Sequence, residues 1–253
     1  MIIAGHTLDV AQTPPLRANA PTLVFLHEGL GSVALWRDVP AQLAERTGYG
    51  TLVYSRYGNG FSDVLREARA VSYMHDEALV ALPELLARLQ IERPILFGHS
   101  DGASIALIYA AAHPHDVTAV VVEAPHVVVE DISVESIAKI GQTYRTTALR
   151  EKMAKYHADV DATFFGWNDV WLSPGFRSWS IVDRLPSIEA PLLAIQGTDD
   201  EYGTLAQLNM LRAHSGGRTD VMVLDRCGHA PHRDRPEIVV SCASAWLSEA
   251  ASR

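Results

Sequence analysis

The chain has 253 residues, 48% of them hydrophobic, and a formal net charge of −9 at pH 7. This length suits one large α/β domain, or one core with an insertion, and the apolar content is enough for a buried parallel sheet. The net negative charge argues against nucleic acid or an anionic membrane as the main partner.

The N-terminus and the hydropathy pattern indicate a cytoplasmic protein. Residues Met1 to His6 lack the charged and long apolar regions of a signal peptide. No apolar stretch reaches the roughly 18 residues that a membrane-spanning helix requires. The two cysteines are Cys227 and Cys242, and we expect Cys227 to be a packed thiol rather than half of a disulfide.

The first part of the chain is predicted to alternate strands and helices. Strands are predicted at residues 22–27 and 51–55, and a helix is predicted from Ser72 to Gln90. Pro83 is expected to kink this helix or to restart it. One face of the helix is predicted to carry Ala78, Leu79, Leu82, Leu85, Leu86 and Leu89.

The most informative motif is the pentapeptide GHSDG at Gly98–Gly102. The apolar run Pro94–Phe97 before it reads as a buried strand, and Ala103–Ala112 after it reads as a helix. A strand, a glycine-flanked turn and a helix form a nucleophile elbow, in which the serine stands above the sheet at a helix N-terminus. The motif therefore predicts Ser100 as a nucleophile.

Two later strands are each followed by a polar loop with catalytic residue types. The strand Pro191–Gly197 precedes Thr198–Glu201, and the strand Asp220–Leu224 precedes Asp225–His232. A nucleophilic serine needs a base, and the base needs an orienting acid. Catalytic groups gather past the carboxyl ends of strands in open α/β sheets, so these loops are predicted to supply both.

Together these motifs resemble the α/β-hydrolase superfamily over nearly the whole chain. The resemblance implies a mostly parallel central sheet with helices on both faces. It also implies Ser100 as nucleophile, Asp200 as acid and His229 as base, without metal or organic cofactor. Asp200 is preferred over Asp199 because the acid of this family usually lies three residues after the strand-ending glycine. His229 is preferred over His232, which is expected to begin a helix or to support the site from behind.

The resemblance also predicts an oxyanion hole made of backbone N–H groups. One donor is expected to be the amide of Asp101, directly after the nucleophile. The other is expected from the loop after the strand at 22–27, and it is Gly29, with Leu30 as the alternative. Glu28 stands where the family usually has glycine, so it is a candidate pocket residue or an ordinary structural carboxylate.

The stretch between the two halves of the core departs from strand–helix alternation. Helical spacing of apolar residues and a run rich in aromatic residues predict a helical cap at residues 125–189. Residues 1–124 and 190–253 are predicted to form the hydrolase core. Trp167 and Trp171 lie four positions apart and would share a helix face, so at least one is expected to line the pocket.

Three further positions are candidates for the pocket. His126 and Glu123 lie near the end of the strand that leads into the cap. Asp101 has two interpretations: its carboxylate caps the following helix, or together with Glu28 it favours cationic or neutral substrates.

These features predict a serine hydrolase that cleaves a small carboxylic ester or lactone. The first alternative is a C–C bond hydrolase, which uses the same triad but usually needs a cationic pocket group, with Arg56, Arg145 and Arg177 as candidates. The second alternative is a non-catalytic ligand receptor on the same scaffold. The sequence does not specify the oligomeric state.

Overall fold

The computed structural model describes residues 1–250. Within them the strands are β1 (Ile2–Ile3), β2 (His6–Thr7), β3 (Val10–Thr13), β4 (Thr22–Leu26), β5 (Gly50–Tyr54), β6 (Ile95–His99), β7 (Ala119–Glu123), β8 (Leu192–Gly197) and β9 (Thr219–Leu224). The α-helical segments are α1 (Val39–Thr47), α2 (Tyr73–Asp76), α3 (Leu82–Arg88), α4 (Asp101–Ala112), α5 (Asp131–Thr146), α6 (Leu149–Met153), α7 (Val160–Leu172), α8 (Ala206–His214), α9 (Pro231–Asp234) and α10 (Pro236–Ala250). Short 3₁₀ turns span Val33–Trp36, Pro174–Phe176 and Val182–Ser187.

The central sheet has the strand order β3-β5-β4-β6-β7-β8-β9. Only β3 runs antiparallel to its neighbour, and all other neighbouring strands are parallel. The predicted mostly parallel sheet is therefore confirmed. Because parallel strands end at the same edge, the loops after β4, β6, β7, β8 and β9 lie on one side of the domain.

Both faces of the sheet are buried, which explains the continuous apolar runs in the sequence. Leu96 on β6 belongs to the core on one face, together with α4, while its neighbour Phe97 packs on the other face with α1 and α10. The register of β6 and β7 pairs His99 with Glu123, so these two strand ends reach the same level of the sheet.

The predicted helix from Ser72 to Gln90 is present but interrupted. A π-helical turn at Glu77–Ala81 joins α2 to α3 immediately before Pro83. The wider turn changes the register of the apolar face. As a result Leu79 is 38% exposed, contrary to the predicted buried face, while the remaining apolar positions of that face are buried or half-buried.

The segment between β7 and β8 contains α5, α6, α7 and two 3₁₀ turns, and it adds no strand to the central sheet. Helices α5 and α7 pack against each other, with the rings of Tyr144 and Phe164 stacked at 3.8 Å. The predicted role of residues 125–189 as a cap stays a prediction. Among the described helices none combines the length and apolarity needed to cross a membrane.

Candidate active site

Ser100 occupies the sharp turn between β6 and α4. Its φ is 54° and its ψ is −118°, a conformation that costs a non-glycine residue about 1–3 kcal/mol. A Cβ at Gly98 would lie 2.4 Å from the carbonyl oxygen of Gly102, and one at Gly102 would lie 1.9 Å from that of Leu26. The flanking glycines are therefore needed because strand, turn and helix approach so closely.

The structure brings Ser100, His229 and Asp200 into one hydrogen-bonded chain. The hydroxyl Oγ of Ser100 lies 2.9 Å from Nε2 of His229, and Nδ1 of His229 lies 2.8 Å from Oδ1 of Asp200. Because Nδ1 faces a carboxylate, it carries the proton and Nε2 is free to accept one from the serine. These are the three residues predicted from the sequence.

The carboxylate of Asp200 is held by several donors besides His229. Its Oδ1 accepts from the backbone N–H groups of Tyr202 and Gly203, and its Oδ2 accepts from Nε2 of Gln196. Burial opposes ionisation, but the bonded imidazole and the backbone donors outweigh burial and lower the pKa of Asp200 to about 2. Asp200 is therefore a fixed negative charge behind the imidazole.

The loop after β4 is fixed through its carbonyl oxygens. Arg56 donates to the carbonyl of Glu28 at 2.8 Å, and Nδ2 of Asn59 donates to the carbonyls of Gly29 and Gly31 at 2.9 and 3.2 Å. His27 supports the same loop, since its Nδ1 donates to the carbonyl of Glu28 and its Nε2 accepts from the amide of Arg56.

With its carbonyls engaged, this loop has amide groups available for a ligand. Within residues 1–250 the N–H groups of Gly29, Leu30 and Asp101 have no acceptor. The indole of Trp167 lies against Gly29, where an added Cβ would be 2.1 Å from its Nε1. The arrangement leaves both Gly29 and Leu30 available as the second oxyanion donor beside Asp101.

Asp101 does not cap α4, so that expectation is wrong. Its fully buried carboxylate accepts from the hydroxyl of Tyr73 at 2.5 Å and from Nε1 of Trp171 at 3.3 Å. The guanidinium of Arg56 lies 3.9 Å away. Asp101 is the first residue of α4, and side chains brought from other parts of the chain compete successfully for its carboxylate. No sequence pattern singled out Tyr73 as one of these partners.

Glu28 contacts a histidine on the floor of the site. Its Oε2 lies 3.5 Å from Nδ1 of His99, while Nε2 of His99 donates to the carbonyl of His229 at 2.7 Å. Both ring nitrogens of His99 thus face acceptors. Burial lowers the pKa of His99, but the adjacent Glu28 and Glu123 outweigh burial and raise it. Burial likewise opposes the ionisation of Glu28, yet the neighbouring His99 and Arg233 hold its pKa well below the ordinary value.

Glu123 and His232 form a second carboxylate–imidazole pair below the triad. Nδ1 of His232 lies 2.5 Å from Oε2 of Glu123, and the two side chains are 3% and 0% exposed. The ring of His232 packs against those of Trp36 and His99, at 4.8 and 4.9 Å. His232 is therefore a buried supporting residue, as expected. The carboxyl group of Glu123 contacts His232 and does not face the pocket.

His126 lies next to the triad without a partner for one ring nitrogen. Its ring is 5.7 Å from that of His229 and 5.0 Å from that of Trp171. Its Nδ1 is buried and has no hydrogen-bond partner. Burial and the nearby His229 lower the pKa of His126 to about 3, so the ring stays neutral near pH 7. Ser104 fixes this position by donating to the carbonyl of His126.

A cavity of about 350 Å³ contains Ser100 and His229. Of the positions that the sequence made candidates for the site, Glu28, Gly29, Leu30, Asp101, His126, Trp167 and Trp171 line it, and Glu123 does not. The basic residues named in the sequence analysis do not line it: Arg56 lies beneath Asp101, Arg177 pairs with Asp131, and Arg145 stacks on Phe165. The basic residues that do line it, Arg37, Lys152 and Arg233, have no sequence motif that would have identified them.

A model of the alpha/beta hydrolase family matches residues 23–241. The chain belongs to the α/β-hydrolase family. In the described part of this hydrolase no group of three or more histidine, cysteine, aspartate or glutamate side chains is placed to hold a metal ion.

Curated relatives within the family have different activities. The 2-succinyl-6-hydroxy-2,4-cyclohexadiene-1-carboxylate synthase of Enterobacter sp. (strain 638) is 27% identical over 253 residues, covering 90% of this chain and 92% of that protein. The proline iminopeptidase of Lactobacillus helveticus is 21% identical over 272 residues, covering 92% of each. Among solved structures, the enol-lactonase from Burkholderia xenovorans LB400 has a TM-score of 0.75 at 18% identity, covering 97% of this chain and 98% of its own. The family model establishes the family and the solved structure agrees with the fold, while the different activities of the relatives do not specify a substrate for this chain.

Proposed function

We propose that this chain is a serine hydrolase of small carboxylic esters or lactones. The observation that carries the proposal is the hydrogen-bonded chain from Asp200 through His229 to Ser100. Ser100 lies in a cavity that is also lined by Gly29, Leu30 and Asp101, whose backbone N–H groups have no acceptor within the described residues. Nucleophile, base, acid and electrostatic stabiliser are thus all within reach of one bound carbonyl.

The proposed reaction follows from this geometry. Ser100 Oγ attacks the carbonyl carbon while Nε2 of His229 takes its proton, and Asp200 stabilises the resulting imidazolium. The amide of Asp101 and that of Gly29 or Leu30 bind the oxyanion, and one such donor is worth about 3–4 kcal/mol in the transition state. His229 then protonates the leaving alcohol, and water hydrolyses the acyl-enzyme by the same steps.

We also propose that residues 125–189 act as the cap of this site. Ile137 and Ile140 of α5 and Trp167 and Trp171 of α7 contribute to the cavity wall. A cap of this kind excludes water from the acyl-enzyme except for the attacking molecule, and it sets the size of the acyl group.

The test is hydrolysis of p-nitrophenyl esters with acyl chains of two to eight carbons, with wild type beside Ser100→Ala. We expect turnover in the wild type and its loss in the variant, with Ser173→Ala, a serine outside the cavity, retaining full activity. A fluorophosphonate probe should add one adduct to the wild type and none to Ser100→Ala. Equal turnover in Ser100→Ala would refute the proposal.

Hydrolysis of a C–C bond stays the second candidate, because basic side chains line the cavity as that reaction usually requires. The same assay separates the alternatives. A folded wild type that accepts the fluorophosphonate probe but leaves every ester intact would favour C–C cleavage. A chain that does neither would favour a receptor.

A further inference from the structure

Three basic side chains from separate segments converge on the triad cavity. Arg37 ends the 3₁₀ turn after β4, Lys152 lies in α6, and Arg233 lies in α9 just past His229. All three are exposed, so they line the cavity where it meets solvent. Within the described residues none of them has a carboxylate at ion-pair distance.

The backbone supports this placement at Arg37. Its φ is 52° and its ψ is −127°, outside the regions that non-glycine residues ordinarily occupy. Such conformations persist only where the surrounding structure enforces them, and they concentrate near functional sites.

The acids of the cavity have other partners at contact distance, and only Arg233 among the three cations also acts on one of them, by lowering the pKa of Glu28. Glu28 is already in contact with His99, and Asp101 is held by Tyr73, Trp171 and the nearby Arg56. These contacts speak against the interpretation in which Asp101 and Glu28 favour cationic or neutral substrates. The unpaired charge that remains at the cavity is positive, in a chain whose net charge is −9.

Much of the remaining cavity wall is apolar. It is formed by apolar side chains, namely Leu30, Ile137, Ile140, Leu149, Met153 and Trp167. The cavity that contains Ser100 and His229 is thus lined both by apolar side chains and by three cations at exposed positions. A volume of about 350 Å³ is at the small end for ligand pockets.

We propose that the substrate carries a carboxylate besides its scissile ester or lactone bond, and that Arg37, Lys152 and Arg233 bind this carboxylate. The inference rests on the proposed hydrolase function and specifies its substrate class. The apolar body of the substrate lies under α5 and α7, and the carboxylate reaches the basic opening. Guanidinium and ammonium groups suit this role because their hydrogen bonds to carboxylates are charge-assisted.

The first experiment compares monomethyl adipate with dimethyl adipate and methyl hexanoate in a pH-stat assay. We expect a higher kcat/KM for the monoester, whose free carboxylate is absent from the two neutral esters. A second pair, O-butyrylglycolate and its methyl ester, places the carboxylate on the leaving group instead of the acyl group. The pair that shows the preference identifies which side of the scissile bond faces the basic opening.

The variants Arg37→Gln, Lys152→Gln and Arg233→Gln test the three cations. Each is expected to lower the preference for the anionic ester about threefold, the range of a partly exposed charge pair, and the triple variant is expected to lose the preference. The preference is the ratio of kcat/KM for the anionic ester to kcat/KM for the neutral ester, so a uniform loss of activity leaves it unchanged. Arg46→Gln and Lys155→Gln, exposed cations outside the cavity, are the matched controls. Added salt should weaken the preference in the wild type and not in the triple variant.

A binding measurement separates this inference from the hydrolase proposal. Calorimetry with Ser100→Ala is expected to show adipate binding that the added triple substitution abolishes. If the wild type hydrolyses the neutral esters equally well and adipate does not bind, the carboxylate inference is overturned and the hydrolase proposal stands. If neither ester turnover nor fluorophosphonate labelling occurs, the hydrolase proposal fails, and the substrate class inferred from it fails as well.

Discussion

Two carboxylate–imidazole pairs of the site differ in their access to the cavity. Asp200 and His229 are in contact at 2.8 Å, and Glu123 and His232 are in contact at 2.5 Å, each through Nδ1 of the histidine. Nε2 of His229 contacts the hydroxyl of Ser100 at the cavity. Aromatic neighbours enclose the ring of His232, and the residue as a whole is 4% exposed.

An acid–histidine pair alone therefore does not make a catalytic site. What distinguishes the first pair is a hydroxyl at the second ring nitrogen and a cavity in front of that hydroxyl. The second pair lies beneath the first, and His99 connects the two layers by donating to the carbonyl of His229 while packing on His232. We therefore expect changes in the first pair to affect rate and changes in the second to affect stability.

The largest expected effect is on the rate, from Asp200→Asn. The substitution removes the charge behind His229 and favours the wrong tautomer of its ring, so kcat is expected to fall by about 10⁴-fold, as in other serine triads. Ester hydrolysis and the melting temperature are measured together. Glu123→Gln is the matched control, and a comparable loss of kcat there without loss of stability would contradict the separation of roles.

A smaller effect, on stability, is expected from His232→Ala. It leaves the carboxyl group of Glu123 buried without its hydrogen-bond partner on His232, and a buried polar group left unsatisfied typically costs about 1–3 kcal/mol. Urea denaturation measures this change in the free energy of unfolding. The double variant Glu123→Leu, His232→Leu should recover part of the loss because no unpaired polar group remains. A single variant as stable as the wild type would show that the contact between His232 and Glu123 does not stabilise the fold.

The sequence predicts the local parts of this arrangement better than the distant ones. The elbow around Ser100 is encoded within one strand, one turn and one helix, so its motif suffices to find it. Strand ends likewise locate Asp200 and His229. Glu123 and His232 are 109 positions apart, and only the folded sheet brings them together. The capping role expected for Asp101 is wrong for the same reason, because its partner Tyr73 lies 28 positions earlier in the chain.

The smallest effect is expected in the unfolding free energy at acidic pH, to which the contact between Asp200 and His229 contributes. The pKa of Asp200 falls from an ordinary value of 3.8 to about 2 in the folded protein, so the unfolded chain takes up a proton first as the pH drops. Ionised Asp200 therefore contributes about 2 kcal/mol above pH 4, and this contribution disappears as the pH falls through about 2. The difference in unfolding free energy between wild type and Asp200→Asn, measured by urea denaturation across this window, should shrink by that amount. Groups that titrate in both proteins contribute equally to the two unfolding free energies and drop out of the difference. Asp199→Asn removes an exposed neighbouring carboxylate and therefore controls for the lost charge. A difference independent of pH would mean that the contact with His229 does not stabilise the ionised form of Asp200.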